Sequence, residues 1–333
     1  MKTSPSCITV IALIGSINVG PASANDTAAE LSIGGLQFSR TSAVSMESET
    51  LKITPDRVSV HYLFKNTTEA PVNLTVAFPL PDIDLAEGES IAFPSADPVN
   101  FVDFETRIDG QPVKFVVEQS ARVGDKDVTK LLKDQQIPVL PIGTQQIRTQ
   151  DLPDAVRTKL ADAGLLMPAG TNDRGRQLYE PGWIVRTSVV REQSFPVGRQ
   201  VSVEHTYRPS LGGSVDTILR KGLRQQKAIT AEVERYRRDY CITDGFLAEI
   251  DRIAGAGQEN KAGIQERRVS YVLKTGANWA GPIKDFRLSV DGGKGRLVSF
   301  CHPGLIPAPN SSDLAAKDFT PAQNIKILII GKF

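Results

Sequence analysis

The chain predicts a mainly β protein, with antiparallel β-sandwiches interrupted by two helical insertions. Three observations carry that expectation. Apolar residues alternate with period two through most of the chain, as in "RVSVHYLFKN" at 57–66. Strong turn signals, such as Asp109-Gly110, fall between the alternating runs. Helical spacing is confined to a section near 124–164 and another near 228–255.

The first 24 residues read as an export signal. Lys2 supplies a positive start, "CITVIALIGSINVG" an apolar stretch, and "ASA" at 22–24 a small-residue cleavage site, so the mature chain is expected to begin near Asn25 in the periplasm. No later stretch approaches the ~18 apolar residues of a membrane helix. Loss of Lys2 leaves 38 basic residues against 38 acidic ones. That balance gives no electrostatic reason to expect nucleic acid or an anionic membrane as partner. The basic run "RYRRDY" at 235–240 reads as the solvated side of a helix.

Each section follows from its pattern. In the first, expected to run to 123 as an N-terminal sandwich, Val58, Val60, Tyr62 and Phe64 share one strand face. "VNLTVAFPLP" (72–81) returns as a second strand, stopped by Pro79 and Pro81, which donate no ladder hydrogen bond. "VNFVDFETRID" (99–109) and "QPVKFVVEQ" (111–119) read as a hairpin. The insertion, 124–177, holds two helices, "GDKDVTKLLKDQQ" and "LPDAVRTKLADAG", the second closed by Gly164. "MPAGTNDRGRQ" (167–177) reads as a flexible exit.

The last section, 178–333, begins with 182–195 and 199–209, which read as a long antiparallel pair. Helices follow, the second N-capped by Thr243 or Asp244. The strands 267–275, 283–291, 296–301 and 324–331 complete the chain. "GANWAGP" would join the first two of these as an antiparallel pair, and "DGGKG" (291–295) reads as a hairpin loop.

Once Cys7 leaves with the leader, Cys241 and Cys301 remain, and an even pair in an oxidising compartment predicts one disulfide. The three histidines, at 61, 205 and 302, have no paired ligand spacing, so no metal site and no cofactor are expected. His205 lies on an apolar face with Val201, Val203 and Tyr207 and reads as a core residue, whereas His61 reads as solvated. Asp82, Asp84 and Glu87 have a calcium-like spacing without the full EF-hand frame. No phosphate loop or G-x-S-x-G elbow is present, and no catalytic residue is nominated.

Four residues are candidates for contact with a ligand or partner. Phe78 and Leu80, set among prolines, could dock a partner or fill the core beneath an edge strand. Trp183 and Trp279 could stack on a sugar, and Trp279 could instead fold back as a core lid, which the face pattern around it favours.

Several strings together, among them "YLFKNTTEAPVNLTVAFPLPDI", "VEHTYRPSLGG", "YVLKTGANWAGPIKDFRLSVD" and "DFTPAQNIKILII", resemble an exported proteobacterial family known only as a domain of unknown function. The resemblance implies a periplasmic location and brings no activity or catalytic residue. Residues 57–120, with "AFPLP" and "RIDGQPV", are also similar to the N-terminal β-sandwich of vault and inter-alpha-trypsin inhibitor proteins, without a D-x-S-x-S metal motif. That similarity implies a sandwich and an interaction role. The leading expectation is a non-enzymatic periplasmic module that binds or scaffolds a protein or envelope component. The alternative is a carboxylate-based hydrolase of envelope glycans or peptides.

Overall fold

The computed structural model describes residues 27–32, 35–86, 91–255, 263–301 and 313–333. It is mainly β, with antiparallel sheets predominating, helices in the two expected sections and a further short helix, Lys221–Arg224, just before the second. Val58–Asn66 shows how alternation becomes architecture: Val58, Val60, Tyr62 and Phe64 are buried, with less buried residues between them. This strand sits in a sheet ordered Asp313–Phe319, Ile283–Val290, Val44–Ile53, Val58–Asn66, Gln200–Tyr207, Glu105–Ile108 and Gln111–Pro112. The pairing of Ile283–Val290 with Val44–Ile53 is parallel. A register shift between Met46 and Ser48 breaks the alternation of Val44–Ile53. Met46, Glu49, Leu51 and Ile53 are all buried as a result, because one extra residue exchanges the two faces.

A second sheet is ordered Lys126–Asp127, Val116–Val123, Ile184–Phe195, Val72–Pro79, Thr27–Ser32 and Gly35–Ser39, with Ile83–Asp84 pairing to the start of Ile184–Phe195. Inner residues of both sheets, including Phe64, Phe78, Val189 and Phe286, belong to one apolar core. Strands from the expected first and last sections alternate within these sheets, so both sections contribute to that core.

The third sheet is ordered Leu297–Cys301, Ile325–Gly331, Gln265–Tyr271, Leu211–Ser214 and Ile91–Ala92. Its second strand, an interior one, reads "IKILIIG" and is buried on both faces, which removes alternation from most of its length. Ile325, Ile327 and Ile329 join the large core, while Leu328 and Ile330 pack with Val233, Tyr236, Leu247 and Ile250 from the helices Thr230–Tyr240 and Asp244–Ala254. The first helix ends at Cys241, which adopts a left-handed φ of 52°. The second is capped by Thr243, whose side chain accepts the Phe246 amide at 3.1 Å. Cys241 and Cys301 form the expected disulfide, with Cα atoms 5.4 Å apart, tying the helix end to the edge of the third sheet.

Several expected pairings differ. Ile184–Phe195 and Gln200–Tyr207 lie in different sheets, and "PVG" carries the chain across the sandwich. Gln265–Tyr271 and Ile283–Val290 likewise separate, as do Ile283–Val290 and Leu297–Cys301 on either side of "DGGKG". The reason is common to all three. Alternation reports that one face of a strand is buried, and a short link can lead to a paired neighbour or to the facing sheet. The segment expected as a flexible exit is part of a hairpin, Leu166–Thr171 with Gln177–Pro181. Its turn is held by Asn172, whose Oδ1 accepts the amides of Arg174 and Arg176 at 3.0 and 2.9 Å. The first insertion helix shortens to Thr129–Asp134 because Lys126–Asp127 pairs back onto Val116–Val123. The strand expected over 99–109 shortens to Glu105–Ile108, and Phe101 and Phe104 are buried outside it or at its margin. The Asp109-Gly110 turn closes as expected, with both residues at positive φ.

A cleft between the sandwich and the helical layer

The four aromatic and apolar candidates are buried. Trp183 has no exposed surface, and its indole N–H donates to the Val139 carbonyl at 2.8 Å. Trp279 is buried against Phe64 at 4.6 Å between ring centroids and Phe195 at 6.0 Å. Phe78 packs among Phe104, His205 and Tyr207 at 5.0–5.9 Å. Leu80 differs, because it is buried yet lines a cleft at the edge of the sandwich. His205 is a core residue. The half-buried His61 ring nitrogen is 2.8 Å from the Ser202 hydroxyl. Asp82 pairs with Arg186 at 3.3 Å, and Asp84 accepts the Ala86 amide at 2.8 Å. Glu87 and His302 lie outside the described residues. Among the described residues no helix is long and apolar enough to cross a membrane, which leaves strands unaddressed.

The cleft has a volume of about 260 Å³. Its apolar surface comes from Leu80, Ile83, Ile91, Phe101, Val102 and Tyr207, supplied by strand ends and loops of the sandwich and by one edge of the third sheet. Asp82 and Asp84 flank Ile83, which alternation turns inward while the carboxylates point away from the core. The other wall carries Arg235, Tyr236, Asp239 and Tyr240 from the helix, with Arg268, Ser270 and Lys326 from the third sheet.

Helix periodicity explains why these residues come together. Tyr236 and Tyr240, four apart, bury their rings toward the third sheet, and Arg235 and Asp239 lie beside them along the same edge. The buried Tyr236 hydroxyl donates to Glu266 at 2.8 Å and accepts from Arg268 at 2.8 Å. Burial, reinforced by the Glu266 charge, pushes its ionisation well above the ordinary tyrosine value. Lys326 pairs with Asp239 at 2.8 Å, and Arg235 with Glu232. Across the cleft, burial holds the Asp82 carboxyl above its ordinary value, opposed by Arg186. The site therefore offers the Asp82 and Asp84 carboxylates on one wall, Arg235, Arg268 and Lys326 together with the Asp239 carboxylate on the other, and an apolar surface between them.

Sequence reasoning found Leu80 and had "RYRRDY" on a helix, but read that run as a solvated face. The missed signal is the tyrosine pair at four-residue spacing, which marks a buried stripe with charged residues at its margin. That the stripe faces Asp82 depends on layer packing, which no local pattern carries.

Fold and cleft together define a layered β-sandwich protein with a helix-covered third sheet and a mixed-charge cleft at the junction. The chain belongs to the family described as "Domain of unknown function (DUF4424)", whose model matches residues 24–328. No curated protein matches it. Among solved structures it is similar to a candidate nutrient binding protein from Legionella pneumophila, 13% identical with a TM-score of 0.44, over 92% of this chain and 70% of the other. It is also similar to an M1 zinc metallopeptidase from Deinococcus radiodurans, 12% identical with a TM-score of 0.24, over 88% of this chain and 43% of the other. At TM-scores this low, neither likeness carries an argument about activity.

Proposed function

We propose that the protein is an exported, periplasmic, non-catalytic binding module for an envelope component small enough to enter the cleft. One observation supports this reading above the rest: the cleft is already formed, with an apolar surface and polar groups held in place by protein partners. A pre-formed concavity with a few fixed polar groups is how small-ligand sites are usually built. Export is supported by the leader-like first 24 residues, and fractionation of cells would check it.

A retention experiment tests the binding claim. The dialysed protein is incubated with the small-molecule fraction of a periplasmic extract, washed and denatured, and the released compounds are identified by mass spectrometry. Ser270 is exposed and lines the cleft, so Ser270→Trp fills it at little cost to the fold. The wild-type protein should release a compound that the variant does not. Equal release from both would contradict the proposal.

The hydrolase reading draws on one observation, the raised Asp82 carboxyl, since perturbed acids concentrate at catalytic sites. It predicts cleavage of the retained compound during incubation, abolished by Asp82→Asn. Recovery of that compound intact favours binding.

A further inference from the structure

The charge layout of the cleft narrows its ligand, on the premise that the cleft is the binding site. The cleft's cations come from one layer, which also carries Asp239, while Asp82 and Asp84 come from the other. Asp82 and Asp84 belong to the segment that pairs with Ile184–Phe195 of the sandwich. Arg235 lies on the helix Thr230–Tyr240, and Arg268 and Lys326 lie on the third sheet that it covers. Between them are Leu80, Phe101 and Val102. A ligand with a single charge would meet opposite charges on one wall only. A ligand with an ammonium at one end and a carboxylate at the other complements both.

We infer that the cleft takes a small zwitterion, an amino acid or short peptide with an apolar side chain, its ammonium toward Asp82 and Asp84 and its carboxylate toward Arg235, Arg268 and Lys326. The volume of about 260 Å³ lies below the range of drug-sized sites and suits this size class. Asp82 keeps 35% of its side-chain surface exposed and is paired with Arg186 at 3.3 Å, so its carboxylate can be reached by an incoming ammonium. Arg235 and Lys326 are 48% and 52% exposed, which leaves both side chains room to turn toward a carboxylate. Asp239 beside Lys326 holds that amine near the cleft.

Calorimetry with four probes tests this: L-leucine and leucyl-leucine as zwitterions, 4-methylpentanoate with the carboxylate alone, and 3-methylbutylamine with the ammonium alone. At least one zwitterion should bind about tenfold or more tightly than either singly charged probe, as expected for a lost charge-assisted hydrogen bond. Asp82→Asn should reduce the zwitterion's affinity toward that of the carboxylate probe. Arg235→Gln combined with Lys326→Gln should reduce it toward that of the amine. All three positions retain a third or more of their side-chain surface, and unchanged melting would show that the variants fold. A singly charged probe that binds as tightly as the zwitterions overturns the inference, and so does failure of all four to bind. In the latter case the retention experiment separates two failures. A compound still lost in Ser270→Trp leaves cleft binding standing and removes only the zwitterion, whereas equal release removes both.

Discussion

Aromatic residues crowd two regions of this protein and do different work in each. In the sandwich, Trp279 is enclosed by Phe64 and Phe195, and the one polar atom of the Trp183 ring is committed to a backbone carbonyl. At the junction, Tyr236 presents its hydroxyl to Glu266 and Arg268, beside the half-exposed charges of Arg235 and Lys326. Both sets are buried, so burial alone does not separate packing from recognition. The partner of the polar atom does: a backbone carbonyl closes the account of a ring, whereas a charged network at a cleft margin extends outward.

The comparison can be broken at several points. The largest expected effect lies in the core, where Trp183→Ala or Trp279→Ala should cost about 3–5 kcal/mol in denaturant unfolding. Neither change should selectively remove compound retention from protein that remains folded. Next comes the disulfide, which joins residues 60 apart in sequence. Its removal by Cys241→Ser with Cys301→Ser should cost about 4 kcal/mol in the chain-entropy model. The loss should be greatest in the helical layer, measurable as faster amide exchange in Thr230–Tyr240 than in Val58–Asn66.

Smaller effects sharpen the contrast. Tyr236→Phe removes a hydroxyl bonded to two groups and should cost about 1–3 kcal/mol, because Glu266 stays buried with one donor fewer. The smallest concerns pH. Asp251 receives two bonds from Arg224, at 2.7 and 2.6 Å, and that guanidinium holds its carboxyl below the ordinary 3.8. The pair therefore stabilises above that value, and its contribution fades as pH falls through the lowered folded-state pKa. With Asp251 32% exposed at its side chain, Asp251→Asn should cost no more than about 1 kcal/mol at neutral pH and nothing in strong acid. Asp82 has the opposite sign. Its raised pKa favours the folded state at low pH, so Asp82→Asn should leave neutral-pH stability unchanged or raise it.

Much of the fold was legible in local pattern. Alternation placed Val58–Asn66 and Gln200–Tyr207, the Asp109-Gly110 signal placed its turn, and cysteine arithmetic placed the disulfide. Pairing partners were less legible. "PVG", "GANWAGP" and "DGGKG" resemble hairpin loops, yet each leads from one sheet to another, a choice made by long-range packing. The inward turn of Glu49 needed a bulge that leaves no clear mark in "VSMESETLKI". The cleft was the least legible part, because Asp82 and Arg235 are more than 150 residues apart and meet only through the stacking of three layers.

Compound retention by the wild-type protein beside Ser270→Trp is the most direct measurement of the central claim. The cleft as binding site predicts that mass spectrometry finds a compound released by the wild type and missing from the variant, at equal melting temperature. The same compound released in equal amount by both proteins would place binding elsewhere and contradict the account.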